Sequence, residues 1–170
     1  LDARSGEVVQ TYPEAGSPKE LFFVDGQLLA RTRSDIRCLA ADTGDLLWRF
    51  EGASDVVAGD GRVFLQTGFR SEKGERLHGV VCVDLTSGKE LWRSSTESWP
   101  TKPSSLEMIL YQDGILVFGG QGNHAISAQD GLHLWTYNYQ LIGHGGSYVK
   151  VVHMNDLVWV HNAASIGPEG

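Results

Sequence analysis

The chain has 170 residues, with 14 Lys and Arg against 21 Asp and Glu for a formal net charge of -7, and 41% of it is hydrophobic, including five Trp, six Phe and five Tyr. That length buries a core without a disulfide or metal staple, the aromatic content excludes a wholly disordered chain, and 21 Gly without a Gly-X-Y period exclude collagen. The acidic balance, with no basic run, argues against a nucleic-acid partner, and no apolar stretch approaches the roughly 18 residues of a membrane-spanning helix.

The chain opens on Leu1 and is expected to be a segment of a longer protein; the lack of a leader therefore says nothing about compartment. Its first ten residues, Leu1 to Gln10, are the first of four ungapped copies of one motif; the others are Leu39 to Trp48, Val83 to Trp92 and Ile126 to Trp135. The shared glycines Gly6, Gly44, Gly88 and Gly131 are spaced 38, 44 and 43 residues apart, and Trp48, Trp92 and Trp135 repeat with the last two intervals. In the first full period the apolar runs Glu20 to Val24, Gln27 to Ala30, Ile36 to Ala40 and Asp45 to Phe50 read as four strands. The first two flank Asp25-Gly26, a two-residue hairpin signal. Asp60-Gly61, Asp113-Gly114 and Asn155-Asp156 mark the same hairpin in the later units.

Four short strands per unit of about 43 residues, apolar on both faces and repeated, point to an all-β propeller of four-stranded antiparallel blades. The bounds are a partial blade at 1 to 14, full blades at 16 to 51, 52 to 98 and 104 to 139, and a partial blade at 148 to 162. That makes about four blade equivalents, expected to form a partial ring. A closed four-bladed ring, with residues 1 to 11 completing the last blade, is the alternative. Gly44, Gly88 and Gly131 are assigned to a left-handed turn between third and fourth strands, and Trp48, Trp92 and Trp135 to packing against the next blade. Cys38 and Cys82 occupy one repeat position, where Ala125 follows, so a small buried side chain is expected there and a disulfide is not.

The unit that recurs, small-apolar-Asp/Ala-x-x-Thr/Ser-Gly-x-x-Leu-Trp, is most complete in Ala40 to Trp48 and Val83 to Trp92. It resembles the tryptophan-docking repeat of the pyrroloquinoline quinone (PQQ)-like β-propellers, and the resemblance covers nearly the whole chain. That group holds both quinoprotein dehydrogenases and a non-enzymatic propeller lipoprotein of outer-membrane barrel assembly. The resemblance implies an extracytoplasmic bacterial protein and two readings. One is a non-catalytic binding or scaffold module, whose partner is another protein or the remaining blades of its own chain. The other is half of a PQQ-dependent oxidoreductase whose calcium, quinone and Asp base lie outside the segment. The adjacent Cys pair common beside the quinone in alcohol-oxidising members is missing, and no cofactor or metal site is visible here; the six His show no ligand spacing.

Blade topology puts the Asp-Gly and Gly turns on one end of the sheets and the variable connections on the other. The variable end carries the charged insertion Gly68 to Gly79, the crossing Glu97 to Ser104 and the crossing Tyr139 to Ser147. Loops on a rigid scaffold concentrate binding residues, so Arg70, Arg76, Trp99, Gln121, Asn123, Tyr139 and His144 are the candidates. Trp99 leads because it falls out of the repeat register and is expected at the surface, with Trp99→Ala costing much less stability than Trp92→Ala.

Overall fold

The computed structural model describes residues 2–100, 102–103, 106–120, 123–137, 149–154 and 157–162. Three four-stranded antiparallel sheets follow one another along the chain. The first is β1 (Glu20–Val24), β2 (Gln27–Arg31), β3 (Asp35–Ala40) and β4 (Leu46–Glu51); the second is β5 (Ala53–Gly59), β6 (Arg62–Arg70), β7 (Arg76–Asp84) and β8 (Glu90–Ser95). The third is β9 (Leu106–Gln112), β10 (Ile115–Gly120), β11 (Asn123–Ser127) and β12 (His133–Tyr137), and a pair β13 (Val149–Met154) and β14 (Leu157–Asn162) follows. Every sheet is a simple meander in sequence order, as expected of blades, and the helical residues among those described are two three-residue 3-10 turns. The expected Asn155-Asp156 turn lies outside the described residues.

Local chemistry sets each corner. Asp25, Asp60 and Asp113 have φ of 46°, 50° and 48°, and the glycine after each is also positive; two left-handed residues in a row make the hairpin turn whose twist suits the flanking strands. At the third-to-fourth strand turn, the N–H of Gly44, Gly88 and Gly131 donates to the carbonyl four residues back, at 2.8, 2.9 and 2.8 Å. Gly6 donates to Asp2 in the same way at 2.9 Å, so the opening segment adopts the turn of the other three units. The two turn types are tied together, because Ala41, Leu85 and Ala128 donate their N–H to the carbonyls of Gly26, Gly61 and Gly114.

Sheets stack through apolar faces. Alternate residues of β6 and β7 split between two cores: Val63, Leu65, Val81 and Val83 meet Leu29, Ile36 and Cys38 of the first blade, whereas Phe64, Val80 and Cys82 meet Leu116, Phe118 and Ile126 of the third. The second blade is thus buried on both faces, as the stacking of a propeller requires. On the free face of the first blade, Tyr12 and Ala15 cover Ala30 and Leu39, while Leu21 and Phe23 stay exposed. Tyr111 of β9 leans over Gly59 and its hydroxyl donates to Asp60 of the second blade.

Between the three full blades, Trp48 and Trp92 each lie on the motif glycine of the next. Trp48 donates its indole N–H to the Leu85 carbonyl at 2.7 Å, and a Cβ added to Gly88 would fall 2.5 Å from its ring. Trp92 donates to the Ala128 carbonyl at 3.1 Å and sits over Gly131 in the same way. Gln10 stands where the first Trp would be: its amide donates to Thr43 at 3.0 Å above Gly44, and the hydroxyl of Tyr12 donates to the Ala41 carbonyl at 2.5 Å. A β-bulge falls after Cys38, Cys82 and Ala125, each paired across to its repeat Trp. Trp135 is 37% exposed.

Trp99 corrects the sequence expectation. Instead of standing at the surface it is 4% exposed within the core between second and third blades, because the crossing after β8 folds back over the third sheet. Asn123, expected on the loop face, is also fully buried.

Three measurements test this architecture. Gly61 and Gly88 have almost the same φ, 69° and 67°, but a Cβ meets nothing within 4 Å at the first and the Trp48 ring at the second. Gly61→Ala should therefore cost about 1 kcal/mol from backbone strain and Gly88→Ala about 3 kcal/mol; equal costs in urea titration would deny the contact. Trp99→Ala should cost about 3–5 kcal/mol, as much as Trp92→Ala. Cys38 and Cys82 are buried thiols that desolvation pushes to about 12 and about 11; thiol reagents at neutral pH should label both only after unfolding.

Candidate functional site

The variable end of the blades breaks the repeat in two places. The first is the β6–β7 hairpin, whose strands run nine residues each against five or six in the corresponding strands of the other two full blades. It overhangs its sheet, with Arg70 opposite Arg76 in the register at its end. Both side chains are exposed, and Arg70 donates to the Gly74 carbonyl at 3.3 Å. Like charges directly opposite on a strand pair repel, and the turn that joins the two arginines carries the exposed Glu72, Lys73 and Glu75, so the tip is densely charged. At its base Phe69 lies under the guanidinium of Arg93, 5.7 Å from ring centroid to Cζ.

The second break is the crossing from β8 to β9. The Ser95 hydroxyl caps a 3-10 turn at Thr96–Ser98 by accepting from the Glu97 N–H, and Trp99 drops from its end into the rim between second and third blades. There its ring centroid lies 5.8 Å from Phe118, 5.3 Å from His124 and 5.6 Å from His133. Thr136 joins the two imidazoles, its hydroxyl 3.1 Å from His124 Nδ1 and 2.9 Å from His133 Nε2. Burial lowers the His133 pKa below its usual value. His133 also reaches a shallow recess of about 440 Å³, shared with Arg93, Ser95, Ser98 and Asp130. The two His are visible in the sequence as flanks of one hairpin, but nothing in the spacing brings Trp99 onto them.

Of the sequence candidates, the structure brings Arg70 and Arg76 together at an exposed tip and buries Trp99 and Asn123. The Asn123 amide finds no hydrogen-bond partner among the described residues. Gln121, Tyr139 and His144 lie outside the described residues. A further charged group escaped the sequence reading at the same end of the first blade. Asp35 is fully buried between Arg37 Nε at 3.2 Å and Arg49 Nε at 2.5 Å, and it accepts from the Thr32 hydroxyl. Burial alone would raise its pKa, but Thr32 and the two arginines outweigh that and hold it below the usual carboxylate value. Arg49 also reaches Glu51 and Arg37 also donates to the Glu14 carbonyl, so Asp35 sits in a paired network that anchors that end of the sheet.

A PQQ-like fold raises the question whether these residues fit the quinone. A planar tricyclic acid needs an open aromatic platform, cations aimed at its carboxylates and, in this chemistry, acidic metal ligands. Here Trp48 and Trp92 are spent on glycine turns, Trp99 is enclosed by Phe118, His124 and His133, and the Arg70–Arg76 pair stands on the hairpin tip. Among the described residues there is no group of three or more metal-ligating side chains. The described residues do not fit that group.

The chain matches, over residues 1–164, the PQQ-type repeat family described as outer membrane protein assembly factor BamB. Among solved structures it is similar to BamB from Moraxella catarrhalis, with 18% identity and a TM-score of 0.58, over 82% of this chain and 38% of that one. It is also similar to the computationally designed Ika4 protein, at 16% identity and TM-score 0.60, over 87% and 91% of the two chains. A quinohemoprotein alcohol dehydrogenase from Pseudomonas putida HK5 follows at 14% and 0.53, over 84% and 30%. The chain thus spans well under half of the BamB and dehydrogenase structures it resembles. The comparison with curated proteins finds no match. Three meander sheets built on one turn geometry, and a match that runs through them, place the chain in the BamB-like family of PQQ-type propeller repeats.

Proposed function

We propose that this chain is a non-catalytic binding or scaffold module, part of a larger extracytoplasmic propeller, that engages a protein partner through its variable end. The observation that carries the reading is the overhanging β6–β7 hairpin, which leaves the repeat pattern and presents the exposed Arg70–Arg76 pair with Glu72, Lys73 and Glu75 in the turn between them. A rigid propeller edge with one projecting charged hairpin suits recognition of an acidic protein segment. Membership of the BamB-like family supports a module of this kind, and no helix of the described residues is long and apolar enough to cross a membrane. The remaining blades are the other partner, since the exposed Leu21 and Phe23 offer them an apolar face.

The competing reading is an oxidoreductase half that takes PQQ with calcium, and one pair of experiments separates the two. A photocrosslinker at Lys73 in the hairpin turn should give one discrete protein adduct in cells, and Arg70→Glu with Arg76→Glu should abolish it. Titration of the chain with PQQ and Ca²⁺ should show binding weaker than about 100 μM, less favourable than about -5.5 kcal/mol. Tight, calcium-dependent quenching of Trp fluorescence, with no hairpin adduct, would put the oxidoreductase first.

A further inference from the structure

The cluster at the rim of second and third blades has a chemistry that packing alone does not require. One hydroxyl, Thr136 Oγ1, stands between His124 Nδ1 and His133 Nε2. A threonine hydroxyl has one hydrogen to give and two lone pairs to offer. With both rings neutral the chain of bonds closes: one imidazole N–H donates to Oγ1, and the Oγ1 hydrogen donates to the other ring. A proton added to the accepting ring turns it into a second donor and drives the hydroxyl hydrogen out of the bridge. A second added proton would put two cations side by side, with ring centroids 6.2 Å apart. His124 is fully buried, and His133 is partly buried beside Trp99, itself 4% exposed, so a charge on either ring gives up part of its hydration to aromatic carbon.

We propose that Trp99, His124, Thr136 and His133 form a proton-operated latch, which holds the Ser95–Pro100 crossing against the third blade at neutral pH and frees it on acidification. Thr96 is buried as well and the turn packs on β7 of the second blade, so the hold on the third blade runs through Trp99. Trp99 is its one residue within the core, and its N–H donates to the Thr96 carbonyl inside the same turn, not to the third sheet. The ionisable groups on the elements packed around the cluster set the field it works in. On β7, which contacts the 3-10 turn, Arg76 and His78 alternate in step with Val80 and Cys82; β8 contributes Arg93, bound to Glu90. Glu97 lies on the turn itself, and Asp130 shares the recess with Arg93 and His133.

The direction follows from linkage. Burial lowers the His133 pKa below its ordinary 6.5, so the freed form, with histidine back in water, binds the proton more readily than the latched form. The latch is at full strength above the ordinary value and weakens as pH falls through it, until the pH drops below the lowered value. One such proton makes opening easier at pH ~5.5 than at pH ~7.5, by at most about tenfold.

Hydrogen exchange on the full chain tests this. Protection of the amides of residues 96 to 99, corrected for the intrinsic rate, should fall between those two pH values, by at most about tenfold, while the amides of the β6–β7 ladder hold theirs. His133→Gln keeps a hydrogen-bonding side chain but cannot take the proton, so its protection should stay flat with pH. A wild-type crossing equally protected at both pH values, or a His133→Gln chain with the same fall, would overturn the proposal. Should that variant fail to fold, imidazole NMR of the wild type decides it: a depressed His133 titration that moves with the Trp99 indole signal supports the latch, and ordinary, independent titration of both rings overturns it.

Discussion

Everything in this chain depends on one contact, a tryptophan ring laid on a left-handed glycine of the next blade. The contact combines two requirements that no other pair of residues meets at once. The turn at Gly88 needs φ near 67°, and the space above it is already filled by Trp48, so a Cβ is excluded twice over. The ring buries on the order of 200 Å², and its N–H takes up the Leu85 carbonyl, whose other donor is the weak Cys38 thiol. A sheet apolar on both faces is unstable alone, and the docking sets the register in which it meets its neighbour. The recurrence of the same β-bulge after Cys38, Cys82 and Ala125 fits this view: the residue across from the ring is small wherever the ring must turn toward the next blade.

The first interface shows which parts of that contact are essential. Gln10 and Tyr12 divide the tryptophan's work, the amide filling the space above Gly44 and the phenol taking the Ala41 carbonyl. Carbonyl satisfaction and an occupied space over the glycine survive the substitution; the single large ring does not. Less apolar area is buried, and Gly44 meets a side-chain amide at 3.0 Å where Gly88 meets a ring at 2.5 Å. The opening segment is therefore held to the first blade less firmly than the blades are to one another.

The repeat made the fold legible because each element repeats a local physical demand. Asp-Gly pairs need two left-handed residues, the motif glycines need one, and alternation within runs such as Arg62 to Gln66 needs two buried faces; the structure answers each at the expected place. Strand ends shifted by a residue, as at Arg31 and Asp35, where pairing continues past the apolar run. The site was far less legible, for the same reason. Trp99 lies outside the period, so the sequence offered no partner for it and exposure was the simple inference; its burial depends on how the crossing folds back, a tertiary fact. His124 and His133 were seen as flanks of a hairpin, but the hydroxyl between them comes from Thr136, a residue with no signature. Asp35 was invisible because its two arginines sit on the same strand two residues away and on the next strand, spacings ordinary for any solvated surface.

Polar atoms left without partners mark where the repeat has been interrupted. The Trp99 indole nitrogen, the Asn123 amide and Gln66 Oε1 are buried and unpaired among the described residues, and all three belong to the variable end or its crossing. An unpaired buried donor costs about 1–3 kcal/mol, whereas burying an indole of about 200 Å² returns about 5 kcal/mol at 25 cal/mol per Å². Trp99 can therefore stay buried with its nitrogen unsatisfied, but the surplus is only a few kcal/mol. A repeat Trp such as Trp48 or Trp92 is only partly buried but has its hydrogen bond made, and no titrating neighbour is needed to place it. The crossing is thus held by a margin that one protonation can erode, while the blade interfaces beside it are not; any movement of this edge begins at Trp99 and leaves the docked rings in place.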